Sequence, residues 1–148
     1  MLDFRIIEYG SCDYHEMVKL RDEVLRKPLG LTFSEEYLQQ EINDILIGAF
    51  HKDEDNNTFL AGCCILSPFS EDTVQLRQMA VSPALQGKGV GRDIILFAEK
   101  SATENGFHIL MMHARKTAAG FYEKLGYETD GEEFTEVGIP HYEMRKRL

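Results

Sequence analysis

The chain has 148 residues, 25 acidic against 16 basic side chains, and a formal net charge of −9. That length suits one domain with an ordinary core. No apolar run is long enough to span a membrane, and the acidic balance argues against a duplex nucleic acid partner, which needs Lys and Arg to neutralise phosphate.

The start, MLDFRIIEYG, carries early acids and no basic stretch before an apolar core. It reads as neither signal nor transit peptide, so a cytoplasmic protein is expected. FRIIEY alternates as a strand, and SCD supplies capping residues for a helix. In DYHEMVKLRDEVLRKPLG, Met17, Val18, Leu20, Val24 and Leu25 recur at helical spacing, Asp13 with Glu16 resembles a capping box, and Pro28 with Gly30 stops the helix. A second helix is predicted through SEEYLQQEIN, capped by Ser34, with Glu35 and Glu36 at the positive end of its dipole.

The period then changes. ILIGAFHK and TFLAGCCILSPF flank the polar DEDNN and predict an antiparallel hairpin with a loop of about five residues. Alternation in the second strand sends Cys63 and Cys64 to opposite faces. With Cys12 the cysteines number three, and they imply neither a disulfide frame nor a metal site.

TVQLRQMAVS is a third strand beside the hairpin. After a glycine loop, Ile94, Ile95, Ala98 and Ala102 form one apolar stripe, widened by Leu96 and Phe97, on a helix that Asn105 and Gly106 close. HILMMHA is a short continuous apolar run, the pattern of a strand buried on both faces as in a parallel pair. TAAGFYEKLG is a helix with Ala118, Phe121, Tyr122 and Leu125 on its buried stripe and Gly126 as its stop. YETDGEEF and PHYEMRKR are two final strands. The expected fold class is α+β: a mixed, mostly antiparallel sheet with a right-handed crossover making one central pair parallel, and about four helices.

The chemistry concentrates in LQGKGVGR. Gly87, Gly89 and Gly91 lie between a strand and a helix N-terminus, where unpaired N–H groups and the positive dipole end favour an anion. Without Cβ atoms the backbone can turn sharply and approach phosphate oxygens closely. Lys88 and Arg92 add positive charge. A P-loop requires Ser or Thr after the lysine, and a dinucleotide fingerprint requires GxGxxG after a first strand; neither pattern is present.

VSPALQGKGVGR resembles the Q/R-x-x-G-x-G/A pyrophosphate loop of the GNAT superfamily of N-acetyltransferases, with Gln86, Gly89 and Gly91 on its marked positions and Gly87 between them. AAGFYEKLGYE is similar to that family's A-x-x-F-Y-E-K-x-G-F/Y segment. VKLRDEVL, HARKTAAGFYEKLGY and FTEVGIPHYEM further resemble an ElaA-like branch. In the general pattern an Asn often stands where Arg115 stands here, so contacts of that Asn do not carry over.

The resemblance implies a GNAT fold in which the parallel strands splay around acetyl-CoA as cosubstrate, with no metal. Backbone groups of Met79, Ala80 and Val81 would pair with the pantetheine arm, and the N–H groups of Gln86, Gly87, Lys88, Gly89, Val90, Gly91 and Arg92 would hold the pyrophosphate. Tyr122 falls on the family's general-acid position, while core packing is the alternative reading of its place in the helical stripe.

Glu136 and His141 are candidates to take the amine's proton, with His113 a further one. Glu41 and Asp44 are candidates to attract a cationic acceptor, and Arg21 and Arg26 to steer a carboxylate. The acidic balance leans toward a cationic amine. The implied function is transfer of an acetyl group to a primary amine of a small molecule or peptide by direct attack in a ternary complex, by a chain that could pair as a homodimer. A noncatalytic acyl-CoA-binding sensor or interaction domain, another acyl donor and an oxygen acceptor are the alternatives.

Overall fold

The computed structural model describes residues 2–148. Strand β1 (Leu2–Ile7) leads into helix α1 (Cys12–Arg21), which starts where the Ser11 hydroxyl accepts a hydrogen bond from the Tyr14 N–H at 3.2 Å. Ser11 therefore caps the helix, and Asp13 sits in its first turn rather than in a capping box with Glu16. The helix widens to a π-turn over Asp22–Arg26, tightens over Lys27–Leu29, and ends at Gly30 in the left-handed region with φ of 70°. Ser34 caps α2 (Glu35–Gln39) through the Tyr37 N–H, as expected. This helix is shorter than its sequence pattern, because Ile42 lies 60% exposed and anchors no further turn on the sheet.

The hairpin forms from β2 (Ile45–Lys52) and β3 (Thr58–Pro68), with the Asp53 carboxylate accepting from the N–H groups of Asp55 and Asn57, each at 2.9 Å. Then follow β4 (Thr73–Val81), α3 (Val90–Glu104), β5 (Ile109–Arg115), α4 (Ala119–Lys124), β6 (Glu128–Thr129), β7 (Phe134–Glu136) and β8 (Ile139–Arg147). The sheet order is β1-β2-β3-β4-β5-β8-β6 with β7 also on β8, and among the described residues only β4–β5 is parallel. The single strand expected over YETDGEEF is two short ones. Asp130 and Gly131, with φ of 88° at the glycine, turn the chain between them, so β6 and β7 meet different parts of β8.

The sheet separates two apolar clusters. On one face α3 and α4 contribute Ile94, Ile95, Ala98, Ala119 and Tyr122 against Ile47, Cys64, Leu66 and Leu76; on the other α1 contributes Tyr14, Met17 and Leu20 against Leu46, Cys63 and Ile65. Cys63 and Cys64 are both fully buried on opposite faces, as alternation requires. Phe97 joins the first cluster by stacking on Phe4, whereas Leu96, expected on the buried stripe, is 47% exposed. Gly62 permits this packing: a Cβ there would stand 2.6 Å from Ile94 Cδ1 and 3.0 Å from the Ala80 carbonyl.

One irregularity positions the site. Cys63 pairs with Ala80 and Ile65 with Arg77, so Gln78 and Met79 together oppose Cys64 in a β-bulge, with Gln78 at φ of 53°. The extra residue reverses the phase of β4. Val74 and Leu76 pack with α3, Ala80 packs with α1, and Met79 and Val81 now turn toward α3.

Candidate active site

Parallel pairing of β4 with β5 runs from Thr73↔Ile109 to Leu76↔Met112 and stops. Beyond it β4 follows its bulge while β5 stays paired with β8 as far as Arg115↔His141. The strands therefore part, leaving the β4 edge from Arg77 to Val81 without a β5 partner and opening a cleft of about 430 Å³. Such an edge offers backbone groups to an extended ligand.

The glycine loop lies at one end of this opening. Gly87 and Gly89 have φ of 78° and 83°, and none of the described residues beyond their chain neighbours stands within 4 Å of where their Cβ atoms would be. Unlike α1 and α2, α3 starts at a left-handed Gly89 with no side-chain cap, so the N–H groups of its first turn have no capping acceptor. Lys88 and Arg92 are exposed beside them, Val90 is buried under the helix, and Gln86 folds back, its amide donating to the Val81 carbonyl at 3.2 Å. These residues form an open cradle that fits a pyrophosphate. Gly91 serves differently: a Cβ there would come within 3.0 Å of Met79 Cε.

Met79 links that cradle to α4. The Tyr122 hydroxyl donates to Met79 Sδ at 3.8 Å, a weak contact for a phenol that is 8% exposed and lines the cleft. Burial, with the Cys64 thiol adding, pushes this phenol up to about 12. The expected neighbours of Tyr122 differ in burial: Ala118 and Leu125 are half-buried, while Phe121 is 39% exposed with its ring edge toward Tyr122.

His113, Glu136 and His141, distant in sequence, meet on the far wall. Glu136 Oε1 is 3.0 Å from His113 Nδ1, and Glu136 Oε2 is 3.7 Å from His141 Nε2. Phe134 packs edge-on to His113 and stacks on His141, which is 4% exposed. His141 Nδ1 lies 2.7 Å from the Ile139 carbonyl, which can only accept, so Nδ1 carries the proton and the neutral ring has its lone pair on Nε2.

Other candidates fare differently. Arg21 and Glu41, both at most 1% exposed, form a bidentate pair at 2.7 and 2.9 Å, with the Tyr14 hydroxyl also donating to Glu41 at 2.8 Å. Neither reaches an acceptor. Asp44 is mostly buried 4.0 Å from Arg77, and that burial raises its carboxyl pKa, with a Ser67 hydrogen bond and Arg77 pulling it back. Arg26 does line the cleft. So do Tyr37, Arg77, Gln78 and Arg115, of which Tyr37, Arg77 and Gln78 carry no signature chemistry in the sequence. The adjacent polar pair Arg77–Gln78 in an otherwise alternating strand was the available signal for the bulge. The cleft's own charges, three arginines against Glu136, oppose the overall sign of the chain and its lean toward a cationic acceptor.

A family model described as an acetyltransferase (GNAT) domain matches residues 32–148. YyaT of Bacillus subtilis, an uncharacterized protein, is 29% identical over 143 residues, spanning 93% of this chain and 91% of its own length. Among solved structures, ElaA of Escherichia coli superposes with a TM-score of 0.79 at 19% identity, over 99% of this chain and 100% of that one. PaiA N-acetyltransferase of Thermoplasma acidophilum, in complex with coenzyme A, superposes with a TM-score of 0.71 at 18% identity, over 100% of this chain and 99% of that one. With its splayed parallel pair, uncapped glycine loop and family match over most of its length, the chain belongs to the GNAT family of acetyltransferases and is an acyltransferase.

Proposed function

We propose that this chain transfers an acetyl group from acetyl-CoA to the primary amine of a small molecule or peptide, within one ternary complex. The observation that carries this reading is the convergence of the uncapped loop and the Tyr122 phenol on Met79, where β4 and β5 part. Acetyl-CoA supplies an activated acetyl thioester. The N–H groups of the Gln86–Arg92 segment hold its pyrophosphate, and the free edge over Met79, Ala80 and Val81 pairs with its pantetheine arm.

Tyr122 assists departure of the sulfur. A phenol near 12 does not readily yield its proton to a thiolate whose conjugate acid has a pKa of about 8.5. Its contribution is therefore a hydrogen bond to the charge developing on sulfur, with solvent completing protonation. On the opposite wall, His141 Nε2 takes the amine's proton, directly or through water, and Glu136 steadies the resulting imidazolium while His113 orients Glu136.

The reading is tested by thiol release from acetyl-CoA across a panel of amino acids, short peptides, polyamines and aminoglycosides, with mass analysis of the acceptor. Acetylated amine is the expected product. In parallel, Gly89→Glu, which sets a negative side chain where the cradle meets phosphate, should weaken acetyl-CoA binding by at least about tenfold. Unchanged acetyl-CoA affinity in that variant contradicts the loop assignment, and wild-type binding without transfer to any amine favours a sensor.

A further inference from the structure

Away from the glycine loop, a group of polar side chains on the cleft wall is organised around one tyrosine ring. Arg26, at the end of the π-turn that follows α1, places its guanidinium 4.6 Å from the Phe33 ring centre and 5.5 Å from that of Tyr37. Arg77 approaches the same Tyr37 ring at 5.7 Å. The Tyr37 hydroxyl accepts from Arg77 Nη2, and also from Gln78 Nε2 at 2.9 Å. Guanidinium and amide N–H groups can only donate, so both lone pairs of the hydroxyl are engaged and its proton remains to be given. Among the described residues it meets no acceptor.

The charges have the same polarity. Asp44, 4.0 Å from Arg77, offsets that guanidinium, while Arg26 and Arg115 have no carboxylate partner among the described residues. Gln78 is held at a positive φ of 53° in the bulge, a conformation unfavourable for a residue with a Cβ and one that brings its amide to Tyr37. A ligand group here meets an O–H donor and an uncompensated guanidinium.

From this arrangement, we propose that Arg26 and Tyr37, braced by Arg77 and Gln78, form a subsite for a carboxylate on the amine that is acetylated. The class of acceptor is an amino acid or a peptide with a free carboxyl end, in place of a polyamine. A carboxylate is acceptor-only and takes charge-assisted hydrogen bonds from both donors. The same positive field disfavours the ammonium form of the incoming amine and so helps supply the neutral nucleophile. This inference rests on the acetyl-transfer reading for its substrate role, whereas the subsite itself is measurable without transfer.

The test titrates the full chain, saturated with CoA, with ω-amino acids from glycine to ε-aminohexanoate, their carboxamides, and diamines of matching length. Glycylglycine and its amide separate a peptide end from a free amino acid. At its best length the carboxylate should bind at least about tenfold tighter than the amide or the diamine, as expected for hydrogen bonds to a charged group. Arg26→Gln and Tyr37→Phe should each remove most of that preference, with CoA affinity reporting that the variants are folded. Equal or tighter binding of the amides or diamines, no binding by any carboxylate, or an undiminished preference in both variants overturns the subsite. Carboxylate-selective binding without thiol release in any reaction would overturn acetyl transfer and leave the subsite standing; transfer to diamines alone does the reverse.

Discussion

Arg21 and Glu41 are separated by 20 positions, and each, taken singly in the sequence, is a solvated helix residue that could greet an acceptor. In the structure they close on each other beneath α1, with Tyr14 as a third partner and Arg21 over the Phe33 ring at 4.6 Å. Arg21 Nε has no hydrogen-bond partner among the described residues. Removing one charge from such a pair leaves the other buried and uncompensated, and Glu41→Gln should cost about 3–5 kcal/mol in urea unfolding. A loss below about 1 kcal/mol would place the pair in a more solvated setting than this. The glycine loop was more legible as a turn, because Gly87 and Gly89 meet their positive φ locally, whereas a role for Tyr122 came only from the resemblance of its segment to a family motif. Pairings between segments distant in the sequence, such as Arg21 with Glu41, leave no local mark.

At the scale of elements, the hairpin of β2 with β3, the helix after the glycine loop and the buried strand β5 were all readable from periodicity and turn chemistry. The bulge was hidden but for the adjacent polar pair Arg77–Gln78, since one inserted residue changes the phase of a strand without changing its composition. That bulge parts β4 from β5 and draws Arg77 and Gln78 toward Tyr37. The end of YETDGEEF was equally hidden, because β7 depends on a two-residue turn to β8 in which Val137 and Gly138 have φ of 47° and 76°. A β-branched residue is strained in that left-handed position, whereas Asn-Gly suits a turn with both angles positive. Val137→Asn should therefore raise unfolding stability by about 1 kcal/mol. A fall in the thermal midpoint would show that the valine side chain, at the rim of the cleft, contributes more than its backbone costs.

Across the whole molecule, burial acts on several ionisable groups in one direction. Tyr14, Tyr122 and Tyr127 are all raised, desolvation being the largest cause for each, with Glu41 adding at Tyr14 and Glu99 at Tyr127; Tyr122 reaches about 12. The Cys63 thiol is also pushed up to about 12 by complete burial. A folded pKa above the unfolded one gives stability that is complete below the unfolded value, about 10 for a phenol, and is lost as pH rises through the folded value. Urea unfolding should therefore show stability falling from pH ~9, where the unfolded Cys63 thiol ionises, and more steeply from pH ~10 toward pH ~12, with Tyr122 alone accounting for on the order of 2 kcal/mol. Stability unchanged across that window would contradict the burial of these phenols. The same shift keeps Tyr122 protonated throughout the range in which an amine becomes a competent nucleophile.

The role of Tyr122 is tested most directly by steady-state thiol release in Tyr122→Phe, with acetyl-CoA affinity measured on the same preparation. A hydrogen bond that matters only as charge develops on sulfur predicts kcat lower by about a hundredfold or more, with acetyl-CoA binding within about twofold of the wild type. Wild-type turnover in the phenylalanine variant would reduce Tyr122 to a packed core residue and contradict the assignment of this cleft as the site where the thiol leaves.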